Sequence, residues 1–390
     1  MIPLRYNARS LVRRRATTIA AALGMALVVF VLAASLMLSS GIKKTMTQSG
    51  RSNVAIVLRK GSDAELASGV EKAHVSLISA REEVARDPAG APMTVGEVVV
   101  VITQEKLGGQ GAISNVMIRG VPENVYTFRP SVHVVEGRPA RPGTDEVVVG
   151  ARVRGRFKGV DLNQSFELKK NLPVQVVGIF EDDGSSYESE VWGDLETVRR
   201  GFGREDGVSS VRVQLASADK MDAFKTAVES DKQLQLEVFP EQTYFEKSSE
   251  GTSAFVNGLG ITIAVFFSIG AMIGALITMY ASVAQRRKEI GTLRALGFSK
   301  VAILTSFLME SAMLAAAGGV LGVLSALALG FVKFSMMNFA SWSEVTFSFN
   351  PTPEILVFAV IFGGVMGVIG GFFPAVRAAR VPPIAAMRGA

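Results

Sequence analysis

Four stretches of this sequence are almost free of charge, and they limit how it can fold more than any other feature. Residues 16–42, 251–284 and 355–373 contain no Asp, Glu, Lys or Arg, and residues 301–332 contain only Glu310. A helix of about 20 apolar residues crosses the hydrocarbon core of a bilayer, so each stretch has roughly the length of one crossing. With 48% hydrophobic and 19% charged residues, the chain is too apolar for a typical soluble protein and too charged to lie in a membrane throughout. The expected fold class is an α-helical membrane protein with four transmembrane helices plus an α+β extracytoplasmic domain between helices 1 and 2.

Charge placement orients the spans. Residues 1–16 carry five arginines and no acid, residues 285–300 carry five basic residues against Glu289 alone, and residues 374–390 add three arginines. These segments hold 12 net positive charges against a total of +6, which leaves −6 on the rest of the chain. The basic excess is therefore a positive-inside signal and not a nucleic-acid footprint. It predicts cytoplasmic termini and a cytoplasmic segment 285–299. Residues 1–16 read as an interfacial amphipathic helix with Leu4, Ala8, Leu11 and Val12 on one side. A cleaved signal peptide is the rival reading of this start, but the apolar core is too long for one. The absence of cysteine excludes a lipobox, disulfides, zinc–thiolate sites and a thiol nucleophile.

The spans are expected at 17–42, 251–284, 300–332 and 355–373. The second is longer than a crossing needs and should continue as a stalk that includes Tyr244 and Phe245. Residues 333–354 read as a short external loop whose Trp342 suits an interfacial belt. Pro374 should end the fourth span and start the cytoplasmic tail, 374–390. Residues 43–250 are polar and long enough for a core of their own. Strand patterns fall at 54–58, 98–103, 115–118, 146–149, 174–180, 211–215 and 234–239, and helical ones at 63–78, 195–201 and 219–230. The last of these lies between two strands and predicts a right-handed strand–helix–strand crossover.

Within QRRKEIGTLRALGFSK (285–300), Ile290, Leu293 and Leu296 recur at helical spacing, Gly297 is suited to a left-handed helix end, and Ser299 can cap the next helix. A short amphipathic helix at the cytoplasmic surface is expected. Glycines every fourth residue, Gly363, Gly367 and Gly371 in the fourth span and Gly270 and Gly274 in the second, predict close helix contacts. Glu310 is the one acid well inside a span and is expected to be a structural partner for a basic or polar group near residues 285–299.

The search for catalytic chemistry is nearly empty. His74 and His133 have no metal-ligand spacing, and no metal site is expected. Ser40 with Lys43 and Ser217 with Lys220 have Ser-x-x-Lys spacing without the other peptidase motifs. The glycines of 108–111 lack the Gly-Lys-Ser/Thr end of a phosphate loop. The acids Glu181, Asp182, Asp183, Glu188 and Glu190 read as a solvated loop rather than a calcium site.

The order of residues in RRKEIGTLRALGFSK closely resembles the cytoplasmic signature of the FtsX/MacB-like permeases, the four-span membrane subunits of one class of ABC transporters. Matching positions are Arg287, Lys288, Glu289, Ile290, Gly291, Arg294, Ala295, Leu296 and Gly297; with Arg286 and Leu293 they make up the expected ATPase-coupling set. Looser matches to the MacB-type periplasmic core are 116–120, EGR at 136–138, DEVVVG at 145–150, VVGIF at 176–180 and SEVWGDL at 189–195. The resemblance implies a non-catalytic permease subunit in a bacterial inner membrane, with residues 285–299 as a coupling helix. It implies a separate ABC ATPase, to which ATP and Mg bind, so that this chain holds no cofactor. It also implies a second permease subunit, identical or related, and allows a periplasmic adaptor or another envelope protein. The implied function is ATP-driven motion of the extracytoplasmic domain that exports or extracts a drug, peptide, lipid or lipoprotein. The alternative is a transmembrane signal transmitter that activates an envelope enzyme such as a cell-wall hydrolase.

Overall fold

The structure, a computed structural model, describes residues 15–382. Residues 1–14 of the interfacial helix expected over 1–16 and the end of the tail, with Arg388, lie outside the described residues. The chain divides into a helical unit (1–40, 254–332 and 349–390) and a sheet unit (41–253 and 333–348).

Among the described residues, four helices are long and apolar enough to cross a membrane. They are Arg15–Gln48, Glu241–Gln285, Lys300–Leu327, extended by a 3-10 turn to Phe331, and Pro353–Ala379. Each outruns or matches its apolar stretch. The first continues past Ile42 through Lys43 and Lys44 to Gln48, and the second starts at Glu241, ahead of Tyr244 and Phe245. Pro374, expected to end the fourth helix, instead lies inside it. A proline removes one donor from the ladder, and neighbouring helices make that tolerable in a span. Ser299 Oγ accepts from the Ala302 amide at 3.1 Å and caps the third helix as its position suggested.

The glycines of the fourth helix and those of the third set the packing in this unit. A Cβ on Gly363 would lie 2.4 Å from Val29, one on Gly367 2.3 Å from Ala315 Cβ, and one on Gly371 2.2 Å from Ser311 Oγ. Ser311 Oγ donates to the Gly367 carbonyl at 2.6 Å. Gly318 and Gly322 bring the third helix within 2.7 Å of the first on the same measure. Gly270 and Gly274 behave otherwise: a Cβ there meets nothing within 4 Å. With Ala20, Gly24 and Phe267 they line an open groove of about 290 Å³. A period of four makes a small-residue face, but it does not say whether another helix of the same chain fills it.

The sheet unit is built on β1 (Val54–Arg59), β3 (Thr94–Glu105), β4 (Ile113–Val121), β5 (His133–Gly137), β6 (Glu146–Gly150), β7 (Ser165–Lys169), β8 (Leu172–Glu181), β9 (Glu190–Asp194), β11 (Ser210–Gln214) and β12 (Leu236–Pro240). Their order is β12-β1-β11-β3-β4-β9-β6-β8-β5, with β7 on β8; β2 (Val70–Glu71) pairs separately with β10 (Gly207–Val208). Only β4–β9 and β6–β8 are parallel neighbours. β11 and β12 both run antiparallel to β1, so the helix Met221–Glu229 joins two parallel strands across it. Strand side chains alternate between faces. Val98, Val100, Val116, Ile118, Val191, Val211 and Val213 pack with Ile78, Val198 and Phe224 of the domain's helices. The other face carries Glu97, Arg119, Glu190, Trp192 and Arg212, all buried.

Residues 333–348, expected within an external loop, form a hairpin of β13 (Lys333–Met337) and β14 (Glu344–Ser348) that belongs to the sheet unit. Glu344 pairs with Lys106 at 2.9 Å and with Arg156, and the Trp342 carbonyl accepts from Asn115 at 2.7 Å. Trp342 is exposed at the turn with φ of 52°.

Candidate cytoplasmic coupling site and a buried ionic face

The loop helix spans Arg287–Ala295 and follows the second span helix after a single non-helical residue, Arg286, at φ −103°. The backbone ladder hardly pauses, since the Arg286 amide donates to Ser282 and the Ile290 amide donates to Arg286. At the far end the Phe298 amide reaches the Leu293 carbonyl and the Gly297 amide reaches Arg294, with Gly297 at φ +93°. That is the Schellman geometry only glycine adopts cheaply.

The helix seats its apolar side on its own chain. Ile290 is buried among Met279, Val283, Ile303, Phe307 and Ala378, Leu293 packs on the same cluster, and Gly291 is buried beside them. Leu296, expected on that side, is 72% exposed. Each step of three residues falls about 60° short of a full turn, so Leu296 has drifted off the face of Ile290, and it lies beyond the last helical residue.

Two basic residues expected on the docking surface point inward or along the loop instead. Arg286 is buried, donates from Nη1 to Glu310 Oε2 at 2.8 Å and from Nε to Glu289 Oε2 at 3.0 Å, and lies 5.2 Å from the centre of the Phe307 ring. Glu310 thus has the basic partner expected for it. Arg294 Nη1 donates to the Phe298 carbonyl at 2.8 Å, which ties the turn. The outward surface includes Arg287, Lys288, Glu289, Thr292, Ala295 and Leu296. Beside it, Arg287, Arg377 and Arg380 wall a cavity of about 540 Å³, with no acid among the described residues that line it. No hydrogen bond or ion pair joins these three guanidinium groups to a carboxylate among the described residues.

A second concentration of charge lies in the sheet unit. Arg119 grips Glu190 through Nε at 2.6 Å and Nη2 at 2.8 Å, and its Nη1 reaches Glu97 at 2.8 Å and Glu65 at 3.0 Å. Arg212 reaches Glu97 at 2.6 Å, Glu65 at 2.7 Å and Glu241 at 2.9 Å. Arg129 reaches Glu97 at 3.1 Å and lies 4.3 Å over the Tyr187 ring. Burial alone would raise the Glu65 carboxyl, but Arg119 and Arg212 outweigh it and hold Glu65 well below the usual carboxylate range. Burial opposes Arg212 likewise, and Glu65 and Glu97 keep it firmly protonated. Burial dominates at Tyr187 and pushes its phenol up.

Sequence reading missed this face apart from Glu190, which it grouped with a solvated loop. That loop is in fact largely inside: Asp182 and Glu188 are buried, and Glu188 accepts from the Asp182 and Gly184 amides and pairs with Arg152 at 2.9 Å. The usable signal was a single charge within apolar strands, as in VGEVVVV, VMIRGV and SVRVQ, at the position that alternation points away from the core. Among the described residues no cluster of three or more His, Cys, Asp and Glu could hold a metal ion.

Span-length helices on either side of a large sheet domain, with a braced basic helix between the second and third, define a polytopic membrane protein of permease type. A model of the MacB-like periplasmic core domain matches residues 16–231, and one of the FtsX-like permease C-terminal region matches residues 261–383. The chain belongs to the family of FtsX-like permeases with a MacB-like periplasmic core domain. It is 30% identical to the macrolide export ATP-binding/permease protein MacB of Nitrobacter winogradskyi over 67% of this chain and 40% of that protein. It is 28% identical to MacB of Acinetobacter baylyi over 64% of this chain and 38% of that one. The chain thus spans less than half the length of these MacB relatives. It is 25% identical to the uncharacterized ABC transporter permease YvrN of Bacillus subtilis over 90% of this chain and 89% of that protein. Among solved structures, the periplasmic region of MacB from Actinobacillus actinomycetemcomitans aligns over 51% of this chain and 93% of that one, at 10% identity and a TM-score of 0.38.

Proposed function

We propose that this chain is the permease subunit of an ABC transporter, and that the exposed surface of the loop helix docks on a separate ATPase to which ATP and Mg bind. The observation that carries this reading is the division of labour within residues 285–299. Ile290 and Arg286 fasten the helix to the ends of three span helices, while Leu296, Arg287 and Lys288 remain uncovered. A purely topogenic loop needs the charge but not the brace. An exposed leucine beside arginines that no described carboxylate pairs fits an apolar notch with an acidic rim. The near full-length match to a protein named as an ABC transporter permease supports the same reading. Under it both termini are cytoplasmic, the sheet unit lies outside the inner membrane, and a second permease copy completes the assembly. The substrate is an exported or extracted molecule at the outer face, and the chain itself does no chemistry.

The test is co-purification of the ATPase with full-length permease in nanodiscs, together with ATP turnover. Leu296→Asp should abolish both association and permease-stimulated turnover, whereas Lys170→Glu in the sheet unit should change neither. Normal association of Leu296→Asp would remove the loop helix from the docking surface.

A further inference from the structure

Glu241 is the first residue of the 45-residue second span helix, and it is fully buried. An acid at a helix N-terminus compensates the helix dipole even when exposed, so its burial needs another reason. Its Oε1 accepts from Arg212 Nε at 2.9 Å, Arg129 Nη1 at 3.4 Å and the Tyr187 hydroxyl at 3.4 Å. Its Oε2 accepts from the Arg51 amide at 3.1 Å. One carboxylate therefore holds strand β11, the segment before β5, the turn before β9 and the chain just past the end of the first span helix.

The backbone makes the same joint. Gly50 follows the end of the first span helix by two residues, and a Cβ there would stand 2.6 Å from Gln242 Cα and 2.8 Å from the Glu241 carbonyl carbon. Ser49 Oγ lies 2.8 Å from Ser186 Oγ and accepts from the Ser186 amide at 2.8 Å. One turn into the second helix, the Tyr244 hydroxyl accepts from the Glu65 amide at 3.1 Å. The end of the first span helix and the start of the second are thus in backbone contact, and both are bonded to the ionic face of the sheet. Buried charges of this kind seldom raise stability above that of a well-packed apolar cluster; their best-attested use is to single out one geometry.

We infer that Glu241 is a positioning residue for transmission, pinning the outer ends of the first and second span helices to each other and to the sheet. Displacement of either helix then reaches the sheet unit without slack at the joint. The inference rests on the reading of the chain as an ATP-driven permease. Gly50 is the second element of the same device, because any side chain there forces the two helix ends apart.

Hydrogen–deuterium exchange on full-length permease in nanodiscs, alone and with its ATPase, tests both parts. Without the ATPase, Glu241→Gln and Gly50→Ala should each speed exchange of amides 45–51 and 242–253 by about tenfold, the scale of losing a charged buried hydrogen bond, with β6 and β8 unchanged. With the ATPase, ATP turnover should stay within about twofold of wild type, while nucleotide-dependent changes in exchange of the sheet unit, present in wild type, are lost. Glu241→Asp, which keeps the charge, should restore part of that response. Wild-type exchange at 242–253 in both variants would overturn the joint, and so would a retained nucleotide response despite loosened helix ends. Failure of the wild-type permease to bind an ATPase or to show any nucleotide response would instead overturn the permease reading, leaving the exchange result without ATPase to stand alone.

Discussion

Arg286 and Glu310 form a 2.8 Å ion pair between the foot of the second span helix and the third, and both side chains are at most 6% exposed. The pair sits where the loop helix begins, so it fixes the direction in which that helix leaves the span. Removing one partner of a buried pair costs about 3–5 kcal/mol, whereas replacing both with apolar groups is often nearly neutral; loss of Glu310 should fall at the lower end, because Arg286 keeps its bond to Glu289. Glu310→Leu and Arg286→Met alone should therefore each lower the thermal stability of the detergent-solubilised protein more than the double variant does. A double variant as unstable as the sum of the singles would show that the two side chains act independently.

The uncovered arginines predict a dependence on salt. Arg287, Arg377 and Arg380 wall a cavity with no acid among the described residues of its lining, so under the proposed docking the ATPase should bring negative charge to it. Exposed charge contacts are screened over roughly 8–10 Å at physiological ionic strength, and rim charges act mainly on the rate of association. Raising salt from about 0.05 to 0.5 M should slow association of wild-type permease with its ATPase by about tenfold or more. The double variant Arg377→Gln/Arg380→Gln should start slower and respond less. Equal salt dependence in the two proteins, measured by surface plasmon resonance on nanodiscs, would take these arginines out of the interface.

Legibility in the sequence followed the physics of each signal. Spans are written as long uncharged runs, and all four helices lie where those runs lie, because a bilayer allows few other solutions. Their ends were not legible: Lys43 and Lys44 continue the first helix, since a charge does not stop a helix that has left the apolar layer. The loop helix was legible through Gly297 and Ser299, whose roles are local. Leu296 was misplaced because a three-residue spacing drifts around a helix, and Gly270 and Gly274 meet no other helix among the described residues of this chain because a small-residue face carries no address. The ionic face stayed hidden for a further reason. Glu65, Glu97, Arg119, Arg129, Arg212 and Glu241 are scattered over 177 residues and meet only through the sheet order β11-β3-β4-β9, which alternation alone cannot supply.

Topology can be checked at positions the structure shows to be exposed. With no native cysteine, single cysteines report without background. An impermeant thiol reagent added to intact spheroplasts should label Lys170→Cys in the sheet unit and should not label Lys288→Cys in the loop helix until the membrane is opened. Ser185 and Ser343 are buried, so cysteines there would stay unlabelled on either side and make poor probes. Labelling of Lys288→Cys in intact cells would reverse the proposed orientation.

Acid should unfasten the sheet unit. Glu65 and Glu97 are held below their ordinary value of 4.5; burial opposes this, but the guanidinium groups around each carboxyl prevail. A carboxylate whose folded-state pKa is depressed gives stability that is present above its unfolded pKa and lost as pH falls toward the folded one. The sheet unit should therefore hold a nearly constant unfolding temperature from neutral pH down to about 5 and then lose stability progressively below about 4.5. Glu97→Gln should lower stability at pH 7, because Arg119, Arg129 and Arg212 lose a shared anion, and it should also flatten the acid limb, because one of the titrating groups is gone. Tryptophan fluorescence is a suitable readout: Trp192 is fully buried and donates from Nε1 to Glu190 at 3.0 Å, within the same network, whereas Trp342 is exposed. An acid limb of unchanged steepness in Glu97→Gln would mean that the acid sensitivity arises outside the ionic face.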